Sequence, residues 1–378
     1  MIGAWARIKY PNAVDGVIAA SAPIWSFVGL DPPYDTEAFS EGVTHDLSEA
    51  GGSAPACLPN LKAAWPAIER AGHSAAGLSM LSKGFSTCQP IADAEDAYDL
   101  MQWAQGPWAN MAMGNYPYPS TYLMHGKSWL PAYPIRAACE HLAKPGLEGL
   151  ELFQAVRDAL STQLNNTGTT ACFFNQDGAS LLETDNGTTP RRVRVPGAKM
   201  TDTWRLAPRT ELEERERARE AAAVGGTASP ESCQGDWGYQ WCTEMVQPFT
   251  TGCGGKDFHY PCDQYNYDYS AQQCQKNWGV RPRELWCRQG LGGKRIEDSS
   301  NIVFSNGLLD PWHGGGILSN ISESLIAVQI PNGAHHIDLM FSNPLDTPDI
   351  KAARATELAE IRKWVVQVAA RHAPPSLP

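Results

Sequence analysis

Two short stretches carry side chains whose types and order could do hydrolytic chemistry. In "SNGLLDPWHGGG" (305–316) a carboxylate, Asp310, enters a turn of proline, tryptophan and glycine just after the apolar run Ile302-Val303-Phe304. In "PNGAHHIDL" (331–339) two imidazoles, His335 and His336, follow the apolar run "SLIAVQI" (324–330). The acid precedes the first base by 335 − 310 = 25 residues. A buried carboxylate that accepts an imidazole N–H fixes the ring's tautomer and orientation. It also stabilises the imidazolium formed when a nucleophile gives up its proton.

Each piece has a plainer use. Asp suits tight turns beside Gly and Pro. A His-His pair can serve a metal, but no third ligand stands at a useful spacing. The run Gly314-Gly315-Gly316 is followed by no Gly-Lys-Ser/Thr, so it is not a phosphate loop. No metal and no cofactor is expected. What lifts the pair above these uses is position, because both follow buried-type strands. Adjacent parallel strands bring their carboxyl ends together, so residues distant in sequence can meet there.

The elements needed to hold such a pair are legible. Met1 to Tyr10 reads as a helix that stops before Pro11. Asp15-Gly16 turns into "VIAASAPI" (17–24), a strand apolar on both faces. Further strands read over 300–307 and 324–330. An amphipathic helix follows over 350–368, with Leu358, Ile361, Val365 and Val368 on one stripe. Helices alternating with two-faced strands make an α/β protein. Between its parts, roughly 35–170 is helical, aromatic-rich and jointed by prolines. The charged run "RTELEERERAREAAA" (209–223) lies in an excursion flanked by Gly, Ser and Pro. The expected organisation is an α/β part at 1–27, a helical cap insertion at 28–185, a charged excursion at 186–232 and a second α/β part at 233–378.

Composition sets outer limits. Hydrophobic residues at 43% and charged residues at 19% read as globular. A formal charge of −11 disfavours nucleic acid and anionic membrane surfaces as partners. No apolar run approaches the roughly 20 residues of a membrane helix. Ten cysteines, none spaced C-x-x-C, argue against zinc ribbons and for disulfides. Sequons at Asn165, Asn186 and Asn320 point to the same secretory or lysosomal compartment. The opening "MIGAWARIKYP" is no signal peptide, so an entry signal is expected ahead of Met1.

In α/β-hydrolases the triad runs serine, then Asp or Glu, then His, and the serine sits in a G-x-S-x-G turn between strand and helix. No G-x-S-x-G occurs in the chain. "GGSAP" (51–55) lacks the second glycine and falls in the helical region. The helix suited to follow such a turn begins at Met1, which places the expected serine ahead of it.

These stretches, with "WARIKYP", "AASAPIW", "MGNYPYP", "WGYQWCTE" and "NWGVRPR", resemble the S28 serine peptidases. The resemblance implies an α/β-hydrolase fold whose N-terminal strands and nucleophile elbow precede this chain. It matches Met1 to the methionine closing an elbow written G-S-Y-G-G-M, whose serine would be the nucleophile. It makes Asp310 the acid and His335 the base, and it sets Met1 and Trp312 in the substrate pocket. It implies the disulfides Cys57–Cys139, Cys88–Cys172 and Cys242–Cys274, leaving Cys233, Cys253, Cys262 and Cys287 unassigned. Two departures stand out: Gln247 replaces an apolar pocket residue of the carboxypeptidase branch, and Met340 replaces a usual arginine.

The function so implied is a lysosomal, vacuolar or secreted exopeptidase of the Pro-X carboxypeptidase type, forming an acyl-enzyme. Its partners would be proline-containing peptides and, at most, a second copy of the chain. Two alternatives remain open: a dipeptidyl peptidase, and a non-catalytic remnant or binding protein. Without the serine, the 378 residues alone are expected to be inactive.

Overall fold

Ile302–Gly307 (β2) is buried at every residue, which only a strand covered on both faces and paired on both edges achieves. In the computed structural model, which describes residues 1–124, 126–174 and 237–372, β2 lies between Val17–Ile18 (β1) and Leu325–Ile330 (β3), parallel to both. Asn186, Cys233 and the excursion 186–232 lie outside the described residues. The β2–β3 register is complete, from Ile302 opposite Leu325 to Gly307 opposite Ile330. β1 is shorter than the apolar run suggests, although its ladder continues through Ala19 N–H to Val303 and Ser21 N–H to Ser305. Ser21 then takes a left-handed turn (φ 45°) that ends the strand.

Ile2–Lys9 (α1) packs beside β1. Arg7, 8% exposed, ties the helix to the start of β2 through Ser300, donating from Nε to its carbonyl at 2.8 Å and from Nη2 to its hydroxyl at 2.7 Å.

Seven helices make a second layer: Ala38–Asp46 (α2), Cys57–Gly72 (α3), Ala75–Phe85 (α4), Ala94–Gln105 (α5), Pro107–Met113 (α6), Pro134–Glu140 (α7) and Gly149–Leu164 (α8). Their starts are marked chemically. Ser74 accepts the Gly77 N–H at 3.1 Å, and Asp93 accepts the N–H groups of Glu95 and Asp96 at 2.9 Å. Their inner faces bury Leu61, Trp65, Ile68, Phe85, Trp108 and Phe153 in one core, each worth about 1.5–3 kcal/mol. Cys57–Cys139 fastens α3 to α7, and Cys88–Cys172 fastens the α4–α5 connection to the chain beyond α8.

The return segment adds Trp237–Thr243 (α9), Tyr267–Trp278 (α10) and Trp286–Leu291 (α11), three helices the sequence pattern does not announce. Cys242–Cys274 joins α9 to α10, and Cys253–Cys262 closes the loop between them. That loop packs on the helical layer although it follows residue 232: Phe258 is in its core, and Trp65 Nε1 donates to the Phe258 carbonyl at 2.7 Å. Cys287 is a buried free thiol, pushed up to about 12 by burial and so a poor nucleophile.

Pro348–His372 (α12) corrects one expectation. Leu358 (46% exposed), Ile361 (41%) and Val365 (62%) face outward, while Ile350, Ala353, Glu357 and Trp364 face inward. The helix carries an apolar arc wider than the small sheet can cover, and the sheet takes one edge of it. Gly16 permits the closest approach, since a Cβ there would sit 2.3 Å from the Trp364 ring. No described helix is long and apolar enough to cross a membrane.

Candidate active site

The ends of β2 and β3 are stitched together. Leu308 N–H donates to Ile330 and Leu309 N–H to Gly333, at 3.0 and 2.9 Å. Gly307 has to be glycine there, because a Cβ would meet the Gly333 carbonyl oxygen at 2.4 Å. The chain leaving β2 and the chain leaving β3 therefore run side by side, and the first delivers Asp310 while the second delivers His335.

Asp310 is 0% exposed. Its Oδ1 accepts the Trp312 N–H at 3.2 Å, capping a single helical turn over Pro311–Gly315. Its Oδ2 lies 2.8 Å from His335 Nδ1. At that distance an Nδ1–H can donate to the Asp310 carboxyl oxygen. Nε2 is then the nitrogen able to take and return a proton, and the His335 side chain keeps 17% exposure. The His335 backbone is gripped from the helical layer: its N–H donates to the Met113 carbonyl at 3.1 Å, and its carbonyl accepts the Tyr116 hydroxyl at 2.7 Å.

His336 is placed differently. Its backbone is left-handed (φ 57°), its N–H donates to Ser21 Oγ at 3.0 Å, and its ring lies against that of His335 with centroids 3.9 Å apart. Burial, then the neighbouring His335, push it down to about 4, which keeps it neutral at mildly acidic pH. Next along, Asp338 accepts from Ser305 Oγ at 2.6 Å, and Arg354 donates to the carbonyls of Ile337 and Asp338 at 2.8 and 2.9 Å. Burial and the nearby Asp338 carboxyl hold Glu357 well above the usual carboxylate range.

Of the expected pocket residues, Trp312 packs edge-on against Phe39 and Phe249 at 4.8 and 5.9 Å, and its Nε1–H points to Met113 Sδ at 3.1 Å. Met1 packs elsewhere, against the buried clusters that hold Ala4 and Ile24 and that hold Phe27 and Leu30. Gln247 is 2% exposed, and its amide Nε2 finds no partner. Asn320 is exposed and Asn165 half-buried at the end of α8. Sequence reasoning missed Ser21, Phe39, Met113, Tyr116 and Phe249. Several of these act through backbone groups or ring edges, which their residue types do not advertise. The stretch "MGNYPYP" was visible only as a likeness.

One further buried acid adjoins the site. Asp46, 0% exposed, accepts from Asn115 Nδ2 at 2.9 Å and faces His45 Nδ1 at 3.4 Å. Burial pushes it up to about 7; those two contacts oppose the rise, and the charge of Asp310 adds to it.

Comparison with known proteins bears on what this geometry serves. The family model described as serine carboxypeptidase S28 matches residues 1–193 and 210–357. The unmatched 194–209 falls inside the charged excursion. Lysosomal Pro-X carboxypeptidases from Bos taurus and Homo sapiens are 33% and 34% identical over 365 residues, covering 97% of this chain and 61% of theirs. The thymus-specific serine protease of Mus musculus is 22% identical over 380 residues, covering 97% of this chain and 62% of its own length. The chain thus spans about 61% of the length of the Pro-X carboxypeptidases it matches. With its parallel sheet, its stitched strand ends and a match running over most of its length, the chain belongs to the S28 serine peptidases, a family of α/β-hydrolases.

Proposed function

We propose that this chain carries the acid and the base of a serine exopeptidase of the Pro-X carboxypeptidase type. Asp310 orients His335, and His335 Nε2 takes the proton of a serine supplied by sequence preceding Met1, then returns it to the leaving amine. The observation that carries this reading is the 2.8 Å contact between Asp310 Oδ2 and His335 Nδ1 at the ends of neighbouring parallel strands. The Trp312 ring, braced by Phe39 and Phe249, would form a flat wall for a proline ring. The layer α2–α8 would act as a cap that closes one end of the cleft, which limits an enzyme to chain ends. On this reading the 378 residues alone do not turn over peptides, because no serine stands in an elbow sequence. The lysosomal names of the relatives and the disulfides support an acidic or secretory compartment, with Asn165, Asn186 and Asn320 as glycan acceptors.

The test joins the chain to its upstream coding sequence and compares a Pro-X peptide with a chromogenic dipeptide. Release of X with no release of the chromogen supports the carboxypeptidase reading. The converse transfers the assignment to a dipeptidyl peptidase. No turnover of either, with a serine restored in the elbow, leaves a binding protein.

A further inference from the structure

The ring of His335 answers to the sheet, but its peptide answers to the helical layer. Sheet-side bonds fix Gly333 through Leu309 and His336 through Ser21. The N–H and carbonyl of His335 itself are both taken by the turn that ends α6: the Met113 carbonyl accepts at 3.1 Å, and the Tyr116 hydroxyl donates at 2.7 Å. The same turn reaches the loop of Asp310, because Met113 Sδ receives the indole Nε1–H of Trp312 at 3.1 Å. The turn is itself anchored. Asn115 donates to the buried Asp46 at 2.9 Å, Tyr116 N–H donates to Gly114 at 2.7 Å, and Tyr133 N–H donates to the Tyr116 carbonyl at 2.7 Å.

We infer that the turn Met113–Tyr116 aligns the catalytic base and that Tyr116 is its positioning residue, a role that rests on Asp310 and His335 being the acid–base pair. Catalytic geometry tolerates little error, since a displacement of about 1 Å can cost on the order of 100-fold in rate. Without the Tyr116 hydroxyl, the peptide between Gly333 and His336 can rotate and carry Nδ1 away from Asp310. The hydroxyl is suited to donate permanently. Tyr116 is fully buried, and burial together with the charge of Asp310 holds its ionisation above the ordinary tyrosine range. The base is therefore in register only while the helical layer is docked on the sheet.

The test uses the chain as it stands and needs no turnover. A histidine Nδ1–H bonded to a carboxylate gives a far-downfield proton resonance, assigned here by its loss in Asp310→Asn. Tyr116→Phe keeps the ring and removes only the hydroxyl. Expected is a folded protein in which that resonance moves upfield and exchanges with water at least tenfold faster. Trp65→Phe removes another buried bond of the helical layer, Nε1 to Phe258 at 2.7 Å, and should lower stability while leaving the resonance in place. Asn115→Ala loosens the anchor but keeps the hydroxyl, and should move the resonance the same way by less; it serves if Tyr116→Phe does not fold. An unchanged resonance in Tyr116→Phe, or an equal change in Trp65→Phe, overturns the positioning role. A wild-type chain with no resonance sensitive to Asp310→Asn overturns the acid–base pair itself, and the inference with it.

Discussion

At the scale of single residues, chemistry could be read before geometry because few side chains do this work. A carboxylate followed by an imidazole, each after a buried strand, is a combination suited to acid–base chemistry, and the structure brings Asp310 and His335 to 2.8 Å. The choice between His335 and His336 rested on likeness alone. Backbone shape separates them: the left-handed His336 gives its N–H to Ser21, and its ring Nδ1 is buried without a hydrogen-bond partner. In the chain restored with its upstream sequence, His335→Ala should lower kcat/KM on a Pro-X peptide by at least about 10³-fold. His336→Ala should stay within roughly tenfold, because the Ser21 bond comes from the backbone. Equal losses would show that the wrong imidazole has been assigned.

Elements were legible wherever hydrophobic periodicity was strong. The strands at 302–307 and 325–330 lie within a residue or two of their expected bounds, since two-faced apolar runs of that length have few other stable uses. Helix α12 was placed correctly but its buried face was not. Its periodicity marks an apolar arc, and which part of that arc is covered depends on what packs there. Ala353, Glu357 and Trp364 meet the sheet side, whereas Leu358, Ile361 and Val365 do not. Trp364→Ala, by emptying the space against Gly16, should cost about 3–5 kcal/mol in urea unfolding. Ile361→Ser should change stability by no more than about 0.5 kcal/mol. A large loss from Ile361→Ser would mean that the outward face is covered in solution.

At the scale of the whole molecule, buried acids lie where the helical layer meets the sheet, and this gives the fold a pH dependence. Asp46 rises from 3.8 to about 7 in the folded protein. Between those values the native state binds more protons at this site than the unfolded chain does, so its contribution to stability falls as pH rises from about 4 to 7. His336, lowered from 6.5 to about 4, acts with the opposite slope over its own window. Asp46→Asn isolates the first effect while keeping an acceptor for Asn115, with His45 and Asp310 as the other groups facing the site. The variant should match wild type near pH 4 and exceed it at pH 8 by on the order of 1–3 kcal/mol. Urea midpoints at the two pH values measure this, and a parallel pair of curves would refute it.

Composition, apolar period and residue type settled what depends on one stretch at a time. They set the α/β class and the two strands near 302–307 and 325–330, and they singled out Asp310, His335 and His336 as candidates. Contacts between distant stretches were left to the folded chain. Phe258 joins a helical core built from residues before 175, Met113 and Tyr116 hold His335 across more than 200 residues, and α12 buries one edge of its apolar arc. The bonds to His335 run through its backbone N–H and carbonyl, which nearly every residue possesses, and the packing contacts run through apolar side chains that recur along the chain. Their partners are therefore chosen by three-dimensional proximity, which no local pattern encodes.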